Sequence, residues 1–208
     1  MHCHPGRCLG RAGGAARAAQ DRYRHHTAQI EATAKKTASE LVSDQQLRLL
    51  NINGECNIGV GVVHRVKTAG RDIGGGIEHS QITEIYHVMS GNGTLVTDGT
   101  IENSKEQAAD SIVVTTLNGP SSGVGKDIGG KSRRLGPGDV QIIPPNTPHW
   151  WTEITTDQIE YLVVRVDPHK VLRRATSRNK QICRQYCCIP LAEASVRLDQ
   201  KLLLIGGT

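Results

Sequence analysis

Between about Leu47 and Val166 the chain is a succession of short apolar runs separated by turn residues: LRLLNIN, NIGVGVVHRV, GTLVTDG, SIVVTTL, DVQIIP, HWWTEI and IEYLVVRV. Runs this short, rich in Ile and Val and bounded by Gly, Pro, Asn and Asp, read as strands of an all-β domain. Such a set closes most simply as a jelly roll, one of the architectures that removes or protects sheet edges. Its core has to be aliphatic, because aromatic residues make up 3% of the chain and Phe is absent.

The organisation follows from where those runs begin and end. At 208 residues the chain has room for one domain plus extensions. Residues 45–168 are assigned to the barrel and 27–44 to a short helix packing on its outside, with Ile30, Ala34, Leu41 and Val42 on a helical repeat and Ser43-Asp44 as its stop. Residues 1–26 are rich in Ala, Gly and Arg, with no acid before Asp21. That composition is weakly like a transit peptide, but it lacks Ser and the apolar centre of a secretory signal, so a disordered extension is the plainer expectation. Residues 169–208 form a second basic extension without a clear period. No apolar run approaches the eighteen or so residues of a membrane-spanning helix.

The formal net charge of +5 is carried by the ends. Residues 1–28 have a net charge of +4 and residues 169–208 of +6, which leaves the middle at −5. A nucleic-acid role is not expected, since it calls for a basic face interleaved with stacking aromatics on the folded body itself. Of the six cysteines only Cys56 falls within the barrel, so no disulfide framework staples the core. The group His2, Cys3, His4 and Cys8 fits no familiar zinc spacing.

Two segments carry the chemistry. Ile77 to Gly91 reads I-E-H-S-Q-I-T-E-I-Y-H-V-M-S-G, and Gly138 to Glu153 reads G-D-V-Q-I-I-P-P-N-T-P-H-W-W-T-E. Alternation along a strand puts Glu84, Tyr86 and Val88 on one face and Ile85, His87 and Met89 on the other. The same count puts Ile77, His79 and Gln81 together, and His149, Trp151 and Glu153 together with Trp150 opposed. His79, Glu84 and His149 are thus candidate metal ligands, Gln81 a candidate fourth ligand or a group orienting Glu84, and His87 points away.

At these residues the chain resembles the cupin superfamily, whose motifs are G-x5-H-x-H-x3or4-E-x6-G and G-x5-P-x-G-x2-H-x3-N. The resemblance covers roughly residues 45–168 and implies a double-stranded β-helix, a jelly-roll barrel. The chain departs from the motifs at Arg71 and Asn146, where Gly is expected, at Glu153, where Asn is expected, and at Ile77, where the first metal-binding His is expected. Asn tolerates positive φ best after Gly, so Asn146 is a mild change. An aliphatic side chain cannot coordinate a metal, so Ile77 leaves a two-His, one-carboxylate set. Gly74-Gly75-Gly76 neither follows a strand nor opens a helix as a phosphate loop would, and reads as close backbone approach at the barrel mouth. The Gly- and Ser-rich stretch Asn118 to Arg134 reads as a long loop, a lid or a disordered insertion.

The function remains open among three classes. Two imidazoles and a carboxylate suit a non-haem Fe(II) dioxygenase, and they also accept Mn, Ni, Co or Zn for Lewis-acid isomerase, lyase or hydrolase chemistry. A binding or interaction cupin with a degenerate site is the non-catalytic alternative. A sugar isomerase or epimerase with His79 as base and Tyr86 as acid is the third. Tyr86 and Gln81 are the candidate catalytic groups, and Ile77, Tyr86, Trp151 and Tyr161 the candidate pocket lining for a small-molecule ligand. Family analogy also implies a homodimer.

Overall fold

The structure is a computed structural model that describes residues 24–36, 38–70, 75–125 and 127–176. The readings made above for residues 1–23, for Arg71, Gly74 and for residues 177–208 fall outside the described residues.

Helix α1 (Thr27–Lys35) precedes strands β1 (Val42–Ile52), β2 (Cys56–Val66), β3 (Gly76–His79), β4 (Thr83–Ser90), β5 (Gly93–Thr97), β6 (Thr100–Ile101) and β7 (Lys105–Glu106). A π-helical turn at Val114–Asn118 leads to β8 (Ser121–Gly125), β9 (Asp127–Ile128), β10 (Lys131–Leu135), β11 (Val140–Ile143), β12 (His149–Ile154) and β13 (Gln158–Asp167). One sheet has the order β1-β2-β13-β4-β11, a second β10-β5-β12-β3-β8-β7, and β6 pairs with β9. The strand pairs are antiparallel. The core contains Val63, Tyr86, Val88, Ile143, Ile159, Tyr161 and Val163 from the first sheet and Leu95, Leu135, Trp151 and Ile154 from the second. The two inner faces therefore pack on each other, which is the all-β, two-sheet solution expected from strands that alternate inward apolar and outward polar residues.

Four local expectations are corrected. The helix stops at Lys35, and Val42, Ser43 and Asp44 belong to β1, not to the helix. There the ladder from Val42↔Arg65 to Ile52↔Cys56 satisfies the backbone, and that pairing overrides a helical repeat extended to Val42. Only Ala34 of α1 is buried, and Leu41 is exposed. The run SIVVTTL is helical, not a strand. Ser111 Oγ accepts from Val114 N (3.1 Å), while the Thr115 and Thr116 hydroxyls donate to Ser111 O (2.9 Å) and Ile112 O (2.6 Å). Local side-chain bonds of this kind compete with the ladder and override β-branched propensity. The turn ends at Gly119, whose φ is 64°.

The stretch Asn118 to Arg134 is neither lid nor insertion where described. It supplies β8, inserted between β3 and β7, and starts β10, which pairs with β5. Gly123 and Gly125 serve close strand packing, since a Cβ there would stand 2.6 Å from Gly76 O and 1.6 Å from Glu102 O, respectively. Finally, a bulge between Trp151 and Glu153 breaks the alternation of β12, so Glu153 is exposed rather than facing inward with Trp151.

Candidate metal centre

The three candidate ligands come from both sheets. His79 ends β3 and His149 opens β12 in one sheet, and Glu84 is the second residue of β4 in the facing sheet. Two local devices fix the histidine-bearing ends. Asn146 adopts φ 57°, the left-handed conformation anticipated for an Asn in a Gly position, and its N–H donates to His79 O at 2.8 Å. His149 lies directly across the ladder from Ile77. At the other end of the motif Gly91 has φ 78°, and a Cβ there would stand 2.1 Å from Gln158 O.

His79, Glu84 and His149 are all buried, and their ligand atoms lie within 4.8 Å of one another. Nε2 of His79 is 3.4 Å and Nε2 of His149 3.5 Å from the same oxygen, Glu84 Oε2. The opposite ring nitrogens are occupied. His149 Nδ1 lies 2.9 Å from Thr147 O, and a carbonyl oxygen only accepts, so Nδ1 carries the hydrogen. His79 Nδ1 lies 2.8 Å from Ser121 Oγ, whose own hydrogen goes to Gly119 O (2.8 Å). Each ring therefore directs its Nε2 toward the Glu84 carboxylate. Two ring nitrogens and a carboxylate oxygen converging in a buried site suit a cation at their centre, either a proton on a ring nitrogen or a metal ion.

The carboxylate itself is held by residues that sequence reasoning missed. Arg165 faces Glu84 across β13 and β4, and its Nε donates to Glu84 Oε1 at 2.9 Å. The far side of the guanidinium pairs with Asp44 of β1. Tyr86 Oη donates to Glu84 Oε2 at 2.8 Å. Burial works to raise the Glu84 carboxyl, and the neighbouring His79 and Arg165 more than reverse it, holding it well below the ordinary carboxylate range. Burial lowers His79 against the opposing pull of Glu84, which keeps the imidazole neutral and available as a donor atom. For Arg165, burial works toward the neutral form, and the Asp44 and Glu84 carboxylates reverse it, so the guanidinium stays charged. Burial and the Glu84 carboxylate together push the Tyr86 hydroxyl well above its ordinary value, so it keeps its proton.

Other candidate residues fall in different places. Ile77, Tyr86 and Trp151 line a small cleft together with His149, Trp150 and Arg65. Tyr161 lies behind them, accepting from Trp151 Nε1 (3.3 Å) and Arg65 Nε (3.1 Å). Gln81 sits in the bend between β3 and β4 and is only partly buried, so the period of two counted from Ile77 does not carry it inward. The role of orienting Glu84 belongs to Arg165 and Tyr86 instead. His87 is exposed, as the alternation of β4 requires. Cys56 is a free thiol.

The fold is an all-β, two-sheet jelly roll, with the two motif segments placing their histidines and carboxylate on facing sheets. No protein-family model and no curated protein matches the sequence. Solved structures do. An Fe(II) form of HppE is 15% identical, with 52% of this chain and 42% of that one covered and a TM-score of 0.35. A cupin protein from Bacteroides fragilis is 20% identical, covering 57% of this chain and 72% of that one at a TM-score of 0.34. Vicilin from Corylus avellana is 17% identical over 54% of this chain and 24% of its own, at 0.33. The chain thus spans less than half the length of HppE and of vicilin, and overlaps of this size carry no argument about activity. No helix among the described residues is long and apolar enough to cross a membrane.

Proposed function

We propose that the protein binds one divalent metal through His79 Nε2, Glu84 Oε2 and His149 Nε2 and acts on a small molecule in the barrel as a non-haem metal-dependent dioxygenase. The observation that carries this reading is the pair of imidazole Nε2 atoms aimed at one carboxylate oxygen, each ring locked by a hydrogen bond on its other side. A metal on two imidazoles and one carboxylate supplies open positions for substrate and, with Fe(II), for O₂ beside it, whereas Mn, Ni, Co or Zn in the same set serves as a Lewis acid.

This chain's residues have defined tasks around that ion. Arg165 occupies Oε1, so Glu84 presents Oε2 alone. Ser121 and Thr147 fix the ring orientations, the supporting role that groups behind metal ligands commonly play. Tyr86 directs its proton at Glu84, which removes it from the part of a substrate acid and weighs against the His79–Tyr86 isomerase scheme. Ile77 and the two tryptophans supply the apolar part of the cleft lining.

One observation favours a second, non-catalytic reading, a ligand-binding cupin with a weakened site. Ile77 stands directly opposite His149, where the family motif has its first histidine. Metal analysis of protein purified without added metal separates the two. Stoichiometric metal that is lost in Glu84→Ala and His149→Ala but kept in His87→Ala supports the metalloenzyme. Protein that stays metal-free after incubation with Fe(II), Mn(II), Ni(II) and Zn(II) refutes it. O₂ uptake by Fe-loaded protein across enols and catechols tests the dioxygenase assignment.

A further inference from the structure

Two arginines face the barrel interior, and their surroundings differ. Arg165 is bracketed by Glu84 and Asp44. Arg65, on β2, has no ion pair among the described residues, and its Nε–H goes to a neutral oxygen, Tyr161 Oη. A guanidinium has five N–H donors, and the rest of this one borders the cleft shared with Ile77, Tyr86, His149, Trp150 and Trp151. Among the described residues no side chain lining that cleft is acidic. Asp44 acts on Arg65 at longer range but is paired with Arg165, so a partly buried guanidinium faces the cleft at a cost, with no carboxylate in contact. A planar anion that accepts its N–H groups in parallel offsets the cost.

We propose that this cleft is a carboxylate-binding site, so that the small molecule handled beside His79, Glu84 and His149 is an organic acid whose carboxylate pairs with Arg65. The inference rests on the metal reading for what happens next to His149, but the anion site itself is formed by Arg65 and the cleft walls. Size and charge select the class. The cavity volume is about 40 Å³, room for a few water-sized groups and hence for a carboxylate head rather than a nucleotide. One unpaired guanidinium balances the single charge of a carboxylate and leaves a phosphate dianion half-compensated among Tyr and Trp side chains. Placing the acid's carboxylate on Arg65 directs its neighbouring carbon and oxygen atoms toward the His149 end of the cleft.

The chain has only two tryptophans, and both line this cleft, so intrinsic fluorescence reports on the site directly. The full chain, metal-free and metal-loaded, is titrated with acetate and with pyruvate, with acetamide as the neutral isostere and inorganic phosphate as the competing anion. A saturable change is expected with both acids and none with acetamide. Arg65→Gln is expected to weaken acid binding about tenfold or more while leaving metal stoichiometry and the far-UV CD spectrum unchanged. Arg65→Lys, which keeps the charge without the planar fork, is expected between the two and carries the test should the Gln variant not fold. Wild-type affinity in the folded Arg65 variants, no saturable response to either acid, or tighter binding of phosphate overturns the proposal. Metal uptake without acid binding defeats this inference alone, and acid binding without metal uptake defeats only the metal reading.

Discussion

Buried histidines occur in two places in this fold, and only one of them forms a candidate site. His79 and His149 point inward and converge on Glu84. His64, on β2, is as deeply buried, but on the face covered by the α1 side of the barrel. Burial lowers its pKa, opposed by the charge of Glu160 and by the backbone carbonyls of Ala38 and Glu40 that its ring faces. By burial alone the two places look alike. What distinguishes the inward pair is convergence: two donor atoms and an ionised oxygen aimed at one point, with an arginine behind the oxygen and hydrogen-bond partners behind the rings. A buried histidine is therefore not by itself a ligand, and a ligand site needs several donor atoms aimed at the same place.

The largest effect expected from breaking this comparison is at Arg165. Arg165→Met leaves the buried Glu84 and the partly buried Asp44 without their shared partner, and urea unfolding should show a loss of about 3–5 kcal/mol. His64→Leu removes a ring that faces two backbone carbonyls and no ion-pair partner, and should cost less, about 1–2 kcal/mol. A loss at His64→Leu as large as at Arg165→Met would erase the distinction drawn between the two places.

A gain rather than a loss sharpens it next. Ile77→His restores a third imidazole opposite His149, and calorimetric titration should show metal affinity raised about tenfold or more. His64→Leu should leave that affinity unchanged.

The smallest effect is on pH dependence. The folded pKa of His64 lies below its unfolded value of 6.5, so the unfolded chain takes up the proton more readily. Stability from keeping this ring neutral is complete above pH 6.5 and is lost as pH falls through the folded value. Unfolding free energies measured from pH 7.5 downward should therefore decline less steeply in His64→Leu than in wild type, and equal slopes would contradict this account of the outer histidine.

Much of the inward site was legible because its signals are local. Alternation along Glu84–Ile85–Tyr86–His87–Val88 places Glu84 inward and His87 outward, and a Gly-to-Asn change at a positive-φ position reads as tolerated, as Asn146 shows. Residues that act through long-range pairing were not legible. Arg165 is 81 residues from Glu84 and 121 from Asp44. Its one signal was parity, an Arg on the inward register of Tyr161 and Val163 in the last strand. Asp44 was obscured by a helix carried too far, and Gln81 and Glu153 were misplaced where a bend and a bulge interrupt the period of two. Ser111, Thr115 and Thr116 turned a β-branched run into a helical turn through hydrogen bonds that periodicity does not register.

The most direct test of the central claim is metal stoichiometry in wild type and Glu84→Gln, a variant that keeps the shape of the side chain and removes its charge. The account predicts close to one divalent ion per chain in wild type and almost none in Glu84→Gln, with both proteins folded. Equal metal content in the two, or none in wild type after loading, would contradict it.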